Sequence, residues 1–510
     1  MDTQNEKNSI EKDENMLFRK LKNRHLNLIA IGGAIGTGLF FASGNAISDA
    51  GPGGALVAYI VMGTMVYFLM TSLGEMATQV PLSGSFQTYS NKFVDPAFGF
   101  TVGWCYYLGW ALTITFEVVV GVKVLQYWLP NMPIFIPSLL LIALLFVLNV
   151  FTVNVFGEAE FWFAGIKVIA IITFLVVGFL MIFGLIGNHT DGLSNFTYTD
   201  PETGASAPFP GGIIAILSTF LIAGFSFQGT EVVGLTAGES ENPDKHIPKA
   251  INSVFWRILL FYIGGIFVIA TLVPFTDEHL LSYGAEEIAY SPFTLIFYNA
   301  GMSFAADFMN FIILTSVLSC GNSGLYSSAR LLYAMSNEGR APKIFSKTNT
   351  HGVPMPALFL TLGIAVGGFL ASLIPGIDLF GFLINTVGLS GFFAWLSISI
   401  CHYRFRRAWL KQGHTIDELK FKAKFFPFGA IAGMVLCSIV IFGSNIWIWQ
   451  WGFNWFDFIS NYFMLPLFLA VFIGYKVKNK TKLVPLEEMD FSAEYVDYSK
   501  MYKKDVDEVR

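Results

Sequence analysis

Long uncharged stretches alternate with short polar segments along most of the chain. Twelve long stretches without Asp, Glu, Lys or Arg are assigned as candidate membrane spans: 26–48, 50–74, 96–116, 124–157, 168–190, 203–230, 258–276, 308–329, 348–377, 379–403, 425–456 and 458–475. A helix needs about 20 apolar residues to cross the hydrocarbon core of a bilayer. The pattern therefore predicts an all-α membrane protein with twelve transmembrane helices. The third helix is predicted to continue to Pro130, with Glu117 and Lys123 inside it.

The positions of Lys and Arg predict the orientation of these helices. Basic residues occur before residue 26, in alternate loops such as those holding Lys245, Arg340 and Arg404, and after residue 475. The intervening loops contain no Lys or Arg. Because cytoplasmic loops carry an excess of Lys and Arg, both termini are predicted to be cytoplasmic. The protein is then a multi-pass protein of the cytoplasmic membrane.

Composition supports this assignment. Of 510 residues, 54% are hydrophobic and only 13% are charged, whereas a soluble domain has about 25% charged residues. The net charge of −5 offers no basic excess for nucleic acid. The four cysteines lie in apolar stretches without metal-ligand spacing, so neither a metal nor a cofactor is expected. We divide the chain into a cytoplasmic N-terminal segment (1–25), a twelve-helix domain (26–476) and a cytoplasmic C-terminal tail (477–510).

Two of the predicted spans are interrupted by glycine. The first span contains Gly32, Gly33, Gly36 and Gly38, and the sixth contains the stretch AGFSFQGTE at 223–231. Each glycine costs about 1 kcal/mol in a helix interior relative to alanine. Non-helical backbone at membrane depth is tolerated where it lines a cavity. Breaks in spans one and six favour a five-plus-five inverted repeat followed by two further helices; close helix packing through small residues is the alternative.

Broken helices have a definite binding chemistry. A helix start within the membrane offers free N–H groups and a positive dipole end to a carboxylate. The free carbonyls at an unwound helix end suit an ammonium group. A zwitterionic amino acid presents both groups, so the sequence predicts an amino acid site between the two breaks.

The same stretches carry a family resemblance. The chain resembles the amino acid permeases of the amino acid–polyamine–organocation superfamily, and among them the bacterial lysine-specific permeases. The matching segments include IAIGGAIGTGLFFASG (29–44), GEAEFWF (157–163), AGFSFQGTE (223–231), AGESENP (237–243), LSCGNSGLYSSARLLY (318–333) and CHYRFRR (401–407). The resemblance implies the leucine-transporter-like fold with the substrate at mid-membrane.

The resemblance also implies roles for residues at the two breaks. Backbone N–H groups of Thr37 and Gly38 would bind the substrate carboxylate, with Gly36 and Gly38 kept free of side chains. The carbonyls of Phe225 and Ser226 would accept from the α-ammonium group. The implied activity is import of a cationic amino acid, with lysine first and histidine or arginine as alternatives.

Acidic residues inside the membrane are candidates for recognition of a cationic side chain. Intramembrane charges are costly and usually functional. Glu117, midway along the third span, is the preferred partner for a side-chain ammonium group. Glu231, directly after the break in the sixth span, is assigned to substrate binding, to gating by protonation or to support of the broken helix.

Lys167 in the fifth span is the predicted coupling residue. Burial disfavours the charged form of a lysine, so this side chain could take up and release a proton, the expected coupling ion. Related proton-coupled carriers place a fifth-helix lysine where sodium-coupled ones bind sodium, and a static cation in that place is the alternative. Ser319 and Ser323 in the eighth span are its predicted neighbours.

Other classes of membrane protein fit less well. Two G-x-S-G matches, at 321–324 and 388–391, resemble a membrane protease nucleophile. Such a serine needs a base, and none of the seven histidines lies in the middle of a predicted span. An enzyme is therefore not expected. A channel or nutrient receptor on the same scaffold remains an alternative to a carrier.

Overall fold

The computed structural model describes residues 35–82, 84–150, 153–186, 193–235, 243–281, 291–371, 379–446, 448 and 452–492. The predicted N-terminal segment and the glycines at 32 and 33 lie outside the described residues. Across the described ranges the regular structure is helical, with one isolated β-bridge between Thr199 and Ser206. This agrees with the predicted all-α class.

The α-helices of the described residues follow the predicted spans in chain order. They are α1 (Ser43–Gln79), α2 (Ser85–Phe93), α3 (Pro96–Gln126), α4 (Phe135–Val150), α5 (Val153–Ile182), α6 (Gly212–Phe227), α7 (Val232–Leu235), α8 (Pro243–Arg257), α9 (Gly264–Leu272), α10 (Glu278–Leu281), α11 (Pro292–Asn299), α12 (Ser303–Asn337), α13 (Met355–Ala371), α14 (Leu379–Lys411), α15 (Phe428–Gly443), α16 (Trp455–Tyr462) and α17 (Met464–Asn479). Short π-helical segments, Gly38–Ala42 and Ile258–Ile263, precede α1 and join α8 to α9.

Several of these helices can cross a membrane. In the described part of the chain, seven helical segments are long and apolar enough, two of which contain the interruptions described below, or eight if α16 and α17, bent by 75°, form one span. Three shorter apolar helices fall on other predicted spans. Each of the twelve uncharged stretches overlaps at least one helix. Large side chains such as Leu140, Ile169 and Phe442 are exposed on the outside of the bundle, which indicates a lipid-facing surface.

The predicted first and second spans are joined at Gly51. Its φ of 75° breaks the α1 helix between them, in a conformation that residues with side chains rarely adopt. A Cβ atom at Gly51 would lie 2.2 Å from Cδ of Pro210. The carbonyl of Pro208 accepts from the N–H of Gly53 at 3.0 Å. The loop before α6 therefore packs directly on the bend and fixes the direction of the second span.

Two groups of packed helices surround the centre of the bundle. The helix α1 packs extensively along α6, and α3 packs along α12 and α14. Between these groups lie the start of the first helix and the end of α6, both buried. The packing therefore places the two predicted breaks next to each other.

The chain after α17 is tied to the short helix α2 and its surroundings. Lys92, which is fully buried, pairs with Asp490 at 2.8 Å and donates to the carbonyl of Ser492 at 2.7 Å. Asp95 accepts from the Lys476 ammonium group and from the Thr481 hydroxyl, the latter at 2.7 Å. Helix α17 ends at Asn479, three residues beyond the predicted domain boundary at 476.

Candidate functional site

Within the described residues, which begin at residue 35, the first helical segment starts at the predicted break. The N–H groups of Leu39 and Phe40 both donate to the carbonyl of Gly36 at 3.2 Å, which marks the first helical turn. A helix start leaves its first N–H groups without partners inside the helix. Here those groups belong to Gly36, Thr37 and Gly38, all of them buried, and the Thr37 N–H is directed at the Glu117 carboxylate. The start of this helix therefore places N–H donors in the protein interior.

The sixth span is broken at its predicted interruption. The helix α6 ends at Phe227, Gln228 is extended with ψ of 150°, Gly229 has φ of 91°, and α7 begins at Val232. The break lies at the C-terminal end of the predicted stretch. The carbonyl of Phe225 accepts from the N–H of Gln228 at 3.1 Å and keeps one further lone pair.

Gly38 is in close contact with the last turn of α6. The Ser226 hydroxyl donates to the carbonyl of Gly38 at 2.7 Å and lies 2.8 Å from the hydroxyl of Tyr59. A Cβ atom at Gly38 would lie 2.6 Å from Cα of Ser226, closer than real Cβ contacts. Only glycine therefore fits at position 38 without displacing α6.

A narrow cavity with about 30 Å³ of free internal volume lies beside this contact. Its lining combines backbone from both breaks with polar and aromatic side chains: Gly36, Thr37, Gly38, Tyr106, Gly109, Trp110, Thr113, Glu117, Phe225, Ser226, Gln228, Glu231, Cys320, Val387 and Ser390. All seven residues predicted from the sequence for substrate binding line it. The structure thus brings together segments that are far apart in the chain.

Glu117 places a carboxylate in the cavity. The residue is 2% exposed and comes from the middle of α3, where the packing against α12 buries it. The hydroxyl of Thr37 donates to its Oε2 atom. The start of the first helix and the acid of the third span are therefore in direct contact.

Glu231 has a more completely satisfied carboxylate. Its oxygens accept from the Tyr106 hydroxyl at 2.7 Å, from Nε1 of Trp395 at 3.1 Å and from the N–H of Gly229 at 3.1 Å. The bond to Gly229 spans the break itself. Of the roles left open by the sequence, this geometry favours support of the broken helix, although Glu231 also lines the cavity.

Aromatic rings lie beside the cavity-lining Phe225. Phe116 is in edge contact with Phe225 at 5.6 Å between ring centres and packs on Phe380 at 4.9 Å. The Lys123 ammonium group lies 5.6 Å from the centre of the Phe380 ring. Lys123 is therefore held by a cation–π contact at the edge of this aromatic cluster.

Lys167 lies next to the first helix, as predicted for the coupling residue. Its Nζ atom donates to the carbonyl of Ile35 at 2.8 Å and to the hydroxyl of Ser319 at 2.9 Å, and the side chain is fully buried. Ser316 donates to the same carbonyl at 2.9 Å. Ser323, the other predicted neighbour, is buried one turn beyond Ser319.

The sequence reasoning missed an acid in this region. The span pattern puts Glu160 near a cytoplasmic helix end, but the residue is fully buried and accepts from Ser319 at 2.7 Å and from Asn322 at 2.7 Å. A signal was present: Glu160 and Lys167 are seven residues apart, which puts them on one face of a helix. The polar lining residues Tyr106 and Gln228 were also missed, because single polar residues in apolar spans give no periodic signal.

Comparison with known proteins agrees with this arrangement. A family model described as "Amino acid permease" matches residues 25–487. The chain belongs to the amino acid permease family. The resemblance described from the sequence is therefore confirmed, and the protein is a multi-pass membrane transporter, not an enzyme.

Related permeases match this one over almost their whole length. It is 48% identical to the lysine-specific permease LysP of Lactococcus lactis subsp. cremoris (strain MG1363), covering 96% of this chain and 95% of that protein. It is also 48% identical to the lysine-specific permease LysP of Escherichia coli (strain K12), covering 93% and 96%. The histidine permease HisP of the same Lactococcus strain is 46% identical, with 94% and 99% covered.

A solved structure supports the fold of the permease. A crystal structure of a single-residue mutant of the Eremococcus coleocola manganese transporter superposes with a TM-score of 0.52, covering 89% of this chain and 93% of that one. The two sequences are 12% identical. The match therefore speaks for a shared transporter fold alone.

Proposed function

We propose that this permease imports a cationic amino acid across the cytoplasmic membrane in symport with a proton, and that its main substrate is L-lysine. The observation that carries the proposal is the buried carboxylate of Glu117 in a cavity that is also lined by the start of the first helix and the end of α6. The carboxylate, the α-ammonium group and the side-chain ammonium group of lysine would then each have a binding partner in the cavity. The relatives named as lysine-specific permeases support the choice of substrate.

In the proposed complex, the substrate carboxylate binds the N–H groups of Gly36, Thr37 and Gly38. The α-ammonium group is held by the carbonyls of Phe225 and Ser226. The side-chain ammonium group pairs with Glu117, the acid that has fewer protein donors than Glu231. Recognition thus combines backbone contacts that suit any amino acid with one carboxylate that selects a cation.

Coupling is assigned to Lys167 and its neighbours Ser319 and Ser323, with Glu231 at the second break. The ammonium group of Lys167 bonds the carbonyl of Ile35, directly before the residues that line the cavity. A change in its charge would therefore alter the support of the first helix. A static ammonium group that only stabilises this position is the alternative.

The finer topology belongs to the same proposal. We infer twelve spans, with a five-plus-five inverted repeat and breaks in spans one and six, and cytoplasmic termini. The paired breaks at Gly36–Gly38 and Gln228–Glu231 and the distribution of Lys and Arg support this topology.

Histidine is the second candidate substrate, because one of the relatives is a histidine permease. The test is uptake of labelled L-lysine into proteoliposomes under an imposed pH gradient, with each of the other amino acids as competitor. Lysine should compete best, and accumulation should need the gradient but no sodium. Stronger competition by histidine would reassign the substrate, and uptake without accumulation would indicate a channel.

A further inference from the structure

A carboxyl group that the proposed function does not use lies at the end of a hydrogen-bond chain from Lys167. The Lys167 ammonium group donates to the Ser319 hydroxyl at 2.9 Å, and that hydroxyl donates to Oε2 of Glu160 at 2.7 Å. All three side chains are fully buried. The two charged groups are therefore joined through a hydroxyl that can accept one proton and donate another.

The surroundings of Glu160 hold its carboxyl group in place. The Asn322 amide donates to Oε1 at 2.7 Å, and the oxygen of that amide accepts from Asn149 at 2.7 Å. These contacts join α5, α12 and α4 at one point. Donors to both oxygens fix the carboxyl group, so that Oε2 faces the hydroxyl of Ser319.

Electrostatics permits a proton to move along this chain. Burying a net charge is costly unless the charge is compensated. An ammonium group with a carboxylate, and an amine with a carboxylic acid, are both neutral overall. Glu117 and the Cys320 thiol also face Lys167. Transfer from Lys167 to Glu160 leaves the net charge of this whole buried cluster unchanged.

The other end of the chain reaches the cavity. Lys167 donates to the carbonyl of Ile35, two residues before Thr37, whose hydroxyl donates to Glu117. Loss of the proton from Lys167 would weaken a charge-assisted bond to the start of the first helix. The segment Ile35–Thr37 is thus in contact both with Lys167, which holds the proton, and with Glu117, which lines the cavity.

We propose that Glu160 is the proton acceptor for Lys167 during transport, reached through the hydroxyl of Ser319. An N–H bond of Lys167 breaks as its proton passes to Ser319 Oγ, and the original hydroxyl proton passes to Oε2 of Glu160. An ammonium and a carboxylate become an amine and a carboxylic acid, with serine regenerated. Glu160 lies about 10 Å nearer the start of α5 than Lys167, on the side predicted to be cytoplasmic. This inference rests on the proposed proton symport.

The experiment compares two measurements in the same proteoliposomes: accumulation of labelled L-lysine driven by a pH gradient, and lysine counterflow without a gradient. Glu160→Gln keeps the size of the side chain but removes the proton acceptor, and Ser319→Ala removes the relay. Both should lose accumulation while counterflow survives, and the pH dependence of counterflow should flatten. Glu160→Asp should recover part of the accumulation.

Ser328→Ala is the matched control. Ser328 is a buried serine of the same helix, and its hydroxyl donates to the carbonyls of Gly324 and Leu325 within that helix. This variant should accumulate lysine like the unaltered protein. Loss of accumulation in Ser328→Ala as well would show that any buried serine of α12 is required. That result would overturn the proposed relay through Ser319.

Other outcomes overturn the inference separately from the proposed function. Full accumulation by Glu160→Gln would exclude Glu160 as acceptor, and full accumulation by Ser319→Ala would exclude the route through its hydroxyl. Parallel loss of accumulation and counterflow in both variants would make Glu160 structural. If Glu160→Gln fails to give a monodisperse protein, Ser319→Ala decides. Failure of the unaltered protein to accumulate lysine under a pH gradient would instead reject the symport itself.

Discussion

Gly38 is a residue at which the start of the first described helical segment meets α6 closely. A Cβ atom there would lie 2.6 Å from Cα of Ser226 and 3.3 Å from the carbonyl oxygen of Phe225. A side chain would both separate the breaks and fill the space next to the N–H donors. Gly38→Val should therefore abolish transport while the protein still inserts into the membrane.

Uptake measured beside surface or membrane-fraction abundance checks this prediction. Gly363→Val is a suitable control, because a Cβ atom at this helical glycine meets no atom within 4 Å. Normal uptake by Gly38→Val would remove the start of the first helix from the substrate site.

Glu117 tests recognition of the substrate side chain. Loss of a charge-assisted hydrogen bond should weaken lysine binding in Glu117→Gln by about 1.5–3 kcal/mol, roughly a ten- to hundredfold rise in Kd. Binding of an uncharged analogue such as norleucine should change much less. Calorimetry or scintillation proximity binding with both ligands makes the comparison. Equal losses for the two ligands would assign Glu117 to the structure of the site or to the proton path.

Residues differ in how well the sequence predicts them. Glycine clusters and isolated charges in apolar stretches stand out, so Gly38, Glu117 and Lys167 were found from the sequence. Tyr106 and Trp395 were not, because their roles come from the Glu231 carboxylate that the fold brings to them. Charged residues and glycines of the site were therefore predictable, because a charge or a glycine within an apolar span is energetically costly. Tyrosine and tryptophan were not, because each is largely apolar and contributes a single hydrogen-bond donor.

At the scale of elements, α1 and α14 are joined by a buried ion pair. Glu75 accepts from Nε and Nη2 of Arg406 and from the N–H of Ala423, and it lies 3.1 Å from Nε2 of His402. Removing one partner of such a pair leaves a buried charge uncompensated. Glu75→Gln should therefore lower the free energy of unfolding by about 3–5 kcal/mol.

Helix α14 also provides the control for this measurement. Lys411 pairs with Glu487, and both side chains are about half exposed, at 52% and 58%. Lys411→Gln should change the free energy of unfolding by only about 0–1 kcal/mol. Thermal unfolding of the purified protein in detergent would compare the two variants. Similar small effects from both would mean that the buried pair contributes little to joining α1 and α14.

The uncharged stretches of the sequence predicted the positions of the helices better than their ends. The uncharged stretch 124–157 contains the end of α3 and all of α4, since proline and short polar segments, not charges, separate these helices. The bend at Gly51 depends on contact with the loop that carries Pro210, far along the chain. Breaks at glycine were visible in the sequence, but their partners were set by tertiary packing.

At the scale of the whole molecule, the residues proposed for binding and for coupling both contact the segment Ile35–Gly38. Thr37 donates to Glu117 in the cavity, and Lys167 bonds the carbonyl of Ile35 on the other side of the same turn. A ligand shifts a conformational equilibrium only by its differential affinity for the two states. Proton and substrate that both act on one backbone turn can together favour a state that neither favours alone.

Lys167 gives the whole-molecule prediction. A permanently charged group at this position could not carry protons, and guanidinium is not deprotonated in proteins. Lys167→Ala and Lys167→Arg should both lose accumulation driven by a pH gradient, while substrate exchange survives in Lys167→Ala. A protonophore should collapse accumulation by the unaltered protein, with no requirement for sodium. Counterflow measured beside gradient-driven uptake in the same proteoliposomes separates coupling from binding. Full accumulation by Lys167→Arg would contradict a titrating lysine, because this variant keeps the charge and loses the proton exchange.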